Sequence, residues 1–271
     1  MKSILVPTDF SDYAEKAFEL AVTIATQTKA AITLLHITGN DVETDDNANI
    51  EKQKASLQQK LETIKQKATG NIIINTQIVN GSIVPSILNA ITTYAADLVI
   101  MGTKGASGLK KVVMGSNTAN IIGKTEVPVL SIPAGYTHTG IKEMVLAINH
   151  TEDLQNLAPL FELANALKAR VRLAIFTGEK DDAATYVTDR RAIVGLQQKL
   201  ADQYSQTGIE VDHLSGSNFQ QTLQDYITQN NIDLLAMITR KRGALESLFN
   251  KSITKEMAYH ATIPMLCLQK N

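Results

Sequence analysis

Apolar positions along the chain follow two alternating rhythms. Ser3–Thr8, Ala31–Thr38, Ile72–Val79, Leu98–Thr103 and Val127–Ile132 are short runs rich in β-branched residues. They are bounded by Pro, Gly, Asn or Asp, as strands are. Between them, Ala14, Ala17, Phe18, Ala21, Val22 and Ala25 recur at helical spacing, with Ser11 or Asp12 placed to cap the helix. Ile50, Leu57, Leu61, Ile64 and Ala68 predict a second helix. Val84, Ile87, Leu88 and Ile91 predict a third, with Ser82 as its cap and Pro85 in its first turn. Apolar strands alternating with amphipathic helices predict a mostly parallel sheet covered on both faces.

The rhythm repeats. Asp97-Leu98-Val99-Ile100-Met101 returns 136 residues later as Asp233-Leu234-Leu235-Ala236-Met237. The same interval carries Val127-Pro128-Val129-Leu130 onto Ile263-Pro264-Met265-Leu266. Ile4-Leu5-Val6 matches Val145-Leu146-Ala147 if the second copy is slightly shorter. The second copy's helical stripes are Ile193, Leu196, Leu200 and Tyr204, then Phe219, Leu223, Tyr226 and Ile227. Pro159 makes its first helix either start late or kink. Residues 134–140, small and polar with two glycines, suit a linker. The expectation is two doubly wound, mostly parallel five-stranded α/β domains in tandem, 1–137 and 138–271. In such folds ligands sit beyond the carboxyl ends of the strands, where the strand order reverses. The turns after the first and fourth strands are therefore where chemistry is expected.

Composition narrows the field. At 271 residues, with 44% apolar and 20% charged residues, each half can bury its own core. A net charge of −1 gives no basic surplus for nucleic acid. The lone cysteine, Cys267, lies in an apolar run and reads as a buried, inert thiol. No apolar stretch approaches the ~20 residues needed to span a bilayer. The N-terminus runs into a strand without signal-peptide architecture. A soluble cytoplasmic protein with no membrane role is expected.

The fourth strand leads into a loop with Gly102, Gly105, Gly108 and Gly115, after which helical periodicity begins. Glycine permits left-handed backbone and close approach to a bulky anion. Gly115-Ser116-Asn117 would present backbone N–H groups and a hydroxyl at a helix N-terminus, which attracts phosphate. Lys104, Lys110 and Lys111 add positive charge. Alone, such a loop is equally a surface turn. Its spacing, G-x2-G-x9-G-[ST] across Gly102, Gly105, Gly115 and Ser116, is the pattern of ATP-binding universal stress proteins. Pro7-Thr8-Asp9 resembles that family's opening motif.

The resemblance spans both halves and implies a universal-stress-protein-like, adenine-nucleotide-α-hydrolase-like fold. It implies ATP, alone or with Mg2+, as ligand. Pro7, Thr8, Asp9 and Ile37 would line the adenine and ribose side, with Met101 and Gly102 beside the ribose and phosphates. Gly105, Gly115, Ser116 and Asn117 would hold the phosphate chain. Asp9 has an alternative reading as a helix cap, and Ile37 and Met101 as core. The resemblance further implies pairing of the last strands, within the chain or in a homodimer.

Other signatures fail. Gly123-Lys124-Thr125 has the tail of a Walker A loop, but Thr118 stands at the leading glycine. His36, His138, His150, His213 and His260 show no metal-ligand spacing, and His36 reads as structural. In the second copy Gly102, Gly105 and Gly115 become Ile238, Lys241 and Lys251, while Ser116 keeps Ser252 and Asp9 becomes Asn149. That half reads as degenerate for ATP. The expected function is a regulatory ATP-binding stress protein, not an enzyme beyond slow hydrolysis. The alternative is an interaction module that uses the fold without nucleotide.

Overall fold

A computed structural model describes residues 1–39, 47–68, 70–103, 115–133, 136–137, 140–148, 156–178, 195, 197–204, 209–240 and 263–270. The chain forms two units, Met1–His138 and Thr139–Asn271. In the first, the elements are β1 (Ser3–Thr8), α1 (Asp12–Thr28), β2 (Ala31–Thr38), α2 (Asn47–Gln66) and β3 (Ile74–Asn80). They continue with α3 (Ile83–Thr93), β4 (Leu98–Gly102), α4 (Ser116–Lys124) and β5 (Val129–Ile132). The sheet order is β3-β2-β1-β4-β5, and the described pairings are all parallel. The order reverses between β1 and β4, which opens a crevice beyond their carboxyl ends.

The predicted α1 stripe is buried as a whole, together with Leu20 and Ile24, so the buried arc is wider than the spacing suggested. Burying a side chain such as Phe18 contributes roughly 1.5–3 kcal/mol. Ser11, in extended conformation, is the cap: its Oγ accepts from the Ala14 N–H at 3.3 Å. Asp12 and Glu15 in the first turn complement the helix dipole. The helix ends at Lys29, a left-handed residue whose N–H donates to the Ala25 carbonyl. Along α2, by contrast, only Leu61 of the described side chains is fully buried, and Leu57 and Ile64 stay half-buried. Ser82 stands at the N-cap of α3 but makes no side-chain cap bond.

The second unit contains β6 (Glu143–Ile148), α5 (Ala158–Leu167), β7 (Arg170–Gly178), helix α6 (197–204) and β8 (Glu210–Gly216). Then come α7 (Phe219–Gln229), β9 (Leu234–Arg240) and β10 (Met265–Lys270), in the parallel order β8-β7-β6-β9-β10. Pro159 sits in the first turn of α5, so the helix starts late rather than kinking. Of the predicted α6 stripe, Leu200 is buried, and Ile193 and Leu196 lie outside what is described.

Pairing corrects one register. Ile4 pairs with Leu98 and Met144 with Leu234. The structural counterpart of Ile4 is therefore Met144, not Val145. Every described position of β6 is buried, so its pattern carries no alternation to fix the register.

At the start of the strands, Glu143 is 8% exposed and its carboxylate takes hydrogen bonds from Arg170 and Arg172. Arg172 also reaches Glu210 and Asp212, and the Tyr226 hydroxyl donates to Asp212. Burial, then the Asp212 carboxylate, holds the Tyr226 phenol above its usual range. No helix of the described residues is long and apolar enough to cross a membrane.

Candidate functional site

The first unit's crevice begins with the turn from β1 into α1. Thr8, the last residue of β1, accepts at Oγ1 from the Phe10 N–H (3.1 Å). Asp9 accepts at Oδ1 from the Ser11 N–H (3.1 Å) and from the Ser11 hydroxyl. This is an Asx-type turn. The carboxylate buttresses the helix cap without being the cap itself. On the other side of the switch point, β4 ends at Gly102, and α4 opens with Gly115 as N-cap. The Gly115 N–H donates to the Thr103 carbonyl, and the Gly115 carbonyl accepts from Ala119 at 3.1 Å. Ser116, Asn117 and Thr118 then occupy the first turn, where helix geometry offers their N–H groups no acceptor. The Thr118 hydroxyl donates to the Gly102 carbonyl at 3.0 Å and ties the two edges together.

These edges enclose a cleft of about 260 Å3. Pro7, Thr8, Asp9, Ile37, Met101, Gly102, Gly115, Ser116 and Asn117 all line it. Gly105, the tenth residue the motif singles out, lies outside the described residues, as do Lys104, Lys110 and Lys111. Sequence reasoning missed Leu35 and Ile83 as lining residues, and it took Ile87 only as core. Ile83 carried a signal. It is the first residue of α3, directly after the cap, yet it is 44% exposed and faces the cleft. Gly123 and Lys124 end α4 and Thr125 is its C-cap, so the Walker-like tail forms no loop.

The glycines need a different explanation from the one their spacing suggested. Neither Gly102 nor Gly115 is left-handed; among described residues the glycines with positive φ are Gly70, Gly81 and Gly140. A Cβ on Gly102 would stand 3.0 Å from the Tyr13 Cβ and 3.1 Å from its carbonyl. On Gly115 it would stand 2.9 Å from the Thr103 oxygen. The protein's own backbone takes the space at both positions.

The second unit is built differently at the equivalent place. Where Ile37 and Ile83 line the cleft, the second copy has Phe176 and Phe219, with ring centroids 4.9 Å apart, edge to face. Phe219 is 5% exposed, against 44% for Ile83. Ile238 ends up half-buried in the position of Gly102. Beside it Thr239 is buried and donates to the Leu268 carbonyl (3.2 Å) and to Gln269 Oε1 (2.9 Å). Asn149, Lys241, Lys251 and Ser252 lie outside the described residues.

A parallel α/β unit that occurs twice, the first copy with a cleft at its switch point framed by a helix N-terminus, defines a tandem doubly wound α/β protein. The family model described as the universal stress protein family matches residues 1–133 and again 140–269. The chain belongs to that family, as a tandem two-domain member. It is 28% identical to Universal stress protein MJ0531 of Methanocaldococcus jannaschii over 138 residues, covering 48% of this chain and 81% of the relative. To Universal stress protein YxiE of Bacillus subtilis it is 29% identical over 144 residues, 48% of this chain and 97% of the relative. Among solved structures, a universal stress protein from Archaeoglobus fulgidus superposes with a TM-score of 0.73. That match covers 99% of this chain and 96% of the other at 18% identity, so it speaks for the fold.

Proposed function

We propose that the Met1–His138 unit binds ATP in the β1/β4 cleft and that the chain acts as a nucleotide-dependent regulator in the stress response. The observation that carries this reading is convergence. Residues from four separate stretches (Pro7 to Asp9, Ile37, Met101 and Gly102, Gly115 to Asn117) line one cleft. The cleft's chemistry suits the ligand. Ile37, Ile83, Ile87 and Met101 offer apolar surface to a base, and the first turn of α4 offers N–H groups and the Ser116 hydroxyl to phosphate. Pro7, Thr8, Asp9 and Ile37 take the adenosine, Met101 and Gly102 the ribose and phosphates. Gly105, Gly115, Ser116 and Asn117 take the phosphate chain, with Mg2+ as an optional companion.

Efficient phosphoryl transfer needs a positioned metal and a water-orienting group. Among the described residues the cleft's one carboxylate, Asp9, is engaged by Ser11 at the nucleoside end. Hydrolysis, where it occurs, is slow and bound ATP persists.

Mass spectrometry of ligand released from purified, denatured protein, followed by calorimetric titration with ATP, tests the proposal. Co-purifying adenine nucleotide or saturable ATP binding supports it; neither, at millimolar ATP, overturns it. A second reading, an interaction module without nucleotide, is favoured by one observation. Gly102 and Gly115 are already required by packing, so their presence does not demand a ligand.

Association belongs to the same proposal. Each copy ends in an apolar strand after a proline, Pro128 or Pro264, and a bare apolar edge is an aggregation liability. Pairing of the last strands, within one chain or between two, relieves it. Separately expressed halves should then self-associate or bind each other in sedimentation runs; two monomers with no mutual affinity would count against it.

A further inference from the structure

Phe10 is left-handed, at φ 62°, although it is bulky and stands beside the cleft rather than in its lining. For such a residue that conformation costs roughly 1–2 kcal/mol, and it persists only where the surroundings hold it. Two side chains do so. The Phe10 ring packs on His36 with centroids 4.4 Å apart, and the Lys60 ammonium from α2 lies 5.4 Å from its centroid. His36 also reaches the turn directly: its Nδ1 donates to the Thr8 carbonyl at 2.8 Å. A neutral or a charged imidazole keeps a proton on Nδ1 in that arrangement, so the bond holds in both states. Thr8 in turn receives the Phe10 N–H.

The chain of contacts therefore runs from α2 and β2 into Thr8, which lines the cleft together with its neighbour Asp9. We infer that the His36–Phe10–Lys60 stack is a positioning device that presets the β1–α1 turn for the adenosine end of the ligand. The second unit supplies an internal contrast. Thr8 pairs with His36 across β1 and β2, whereas Ile148 pairs with Ile175 across β6 and β7. The unit whose crevice carries paired phenylalanines has no side-chain donor at the histidine's place.

The inference rests on the ATP reading, and the test separates the two. Adenosine and ATP are titrated into full-length wild type, His36→Leu, His36→Asn, Phe10→Gly and Ser116→Ala. His36→Leu should weaken adenosine and ATP by the same factor, about tenfold, the equivalent of one well-placed hydrogen bond. His36→Asn, whose amide N–H can stand where Nδ1–H does, should recover most of that loss. Phe10→Gly accepts the left-handed backbone without strain, so it should keep the unliganded melting temperature while also losing about tenfold in affinity for both ligands. Ser116→Ala should weaken ATP and leave adenosine unchanged.

Wild type that binds ATP, with His36 and Phe10 variants that bind equally well once folded, overturns the positioning role alone. A loss confined to ATP does the same, because it moves the effect to the phosphate end. Wild type that binds neither ligand overturns the ATP reading and this inference together.

Discussion

The space a side chain would need at Gly102 is taken by Tyr13, and at Gly115 by the Thr103 carbonyl. Spacing in the sequence marked these glycines, but it could not say what comes close to them, because the neighbours are set by how α1 packs on β4 and by how the α4 N-cap returns to the end of β4. The consequence is measurable without ligand. Gly102→Ala and Gly115→Ala should each destabilise the unliganded protein by about 1–3 kcal/mol, the usual penalty of overpacking against backbone. Urea midpoints decide it, and unchanged midpoints would return both glycines to a purely ligand-facing role. Cys267 is the opposite case, legible from its apolar neighbours alone. It is 1% exposed, and burial pushes its thiol from the ordinary 9.0 up to about 12. A raised native pKa contributes stability that is present below 9.0 and lost as pH climbs toward about 12. The native thiol should resist iodoacetamide at pH 8. The advantage of wild type over Cys267→Ala in unfolding free energy should shrink across that alkaline window. Rapid alkylation of folded protein would refute the burial argument.

Strand starts are pinned by an aspartate in each unit. Asp97 Oδ2 accepts from the N–H groups of Lys2 and Ser3, and Asp233 Oδ2 from those of Lys142 (2.8 Å) and Glu143 (2.9 Å). The Asp97 N–H donates to the Ser3 carbonyl and the Asp233 N–H to that of Glu143, each at 2.9 or 2.8 Å. The repeat Asp97-Leu98 and Asp233-Leu234 thus encodes a clamp, not only a strand. Asp97→Ala and Asp233→Ala should each cost about 1–3 kcal/mol, since two backbone donors lose their acceptor at once. Chemical denaturation of the two variants should give similar losses; a neutral result for either would mean water replaces the carboxylate. The clamp also accounts for the register of β6, which the sequence repeat puts one residue off while Asp97-Leu98 and Asp233-Leu234 align directly. Asp233 fixes where β6 starts through space, whereas β6 itself is a uniformly buried run with no local phase. Helix α1 was legible because its stripe and cap are local. The start of α5 is open in the sequence because Pro159 is compatible with two local outcomes; in the fold Pro159 stands in the first turn.

A whole chain with two copies of one fold raises the question of how many ligands it takes. The repeat, the parallel sheet and the place to look for a site were all legible in spacing and alternation, which are one-dimensional; the strand order was not. The state of the second crevice was legible in the residues that replace the motif, Ile238, Lys241, Lys251 and Asn149; Phe176 meeting Phe219 needed the fold, because 43 residues separate them in sequence. That aromatic pair occupies the place where the first unit keeps Ile37 and an exposed Ile83, so the two crevices should not be equivalent. The expected stoichiometry is one ATP per chain, bound by the first unit. Ser116→Ala should lower its affinity by roughly 0.5–1.5 kcal/mol, the worth of a hydrogen bond. ATP at a hundred times its dissociation constant should stabilise the unit that binds it by about 2.7 kcal/mol. If the units melt together, the transition rises by about 2–4 °C per kcal/mol; if they melt apart, only the first unit's transition moves. Replacing Phe176 and Phe219 by the first unit's residues, Phe176→Ile with Phe219→Ile, would reopen apolar space without restoring Gly102's counterpart, so the count should stay at one. Calorimetric titration measures it directly. Two equivalent sites in the wild type, or one site that survives Ser116→Ala unchanged and vanishes on Arg240→Ala with Lys241→Ala, would place the ligand in the second unit.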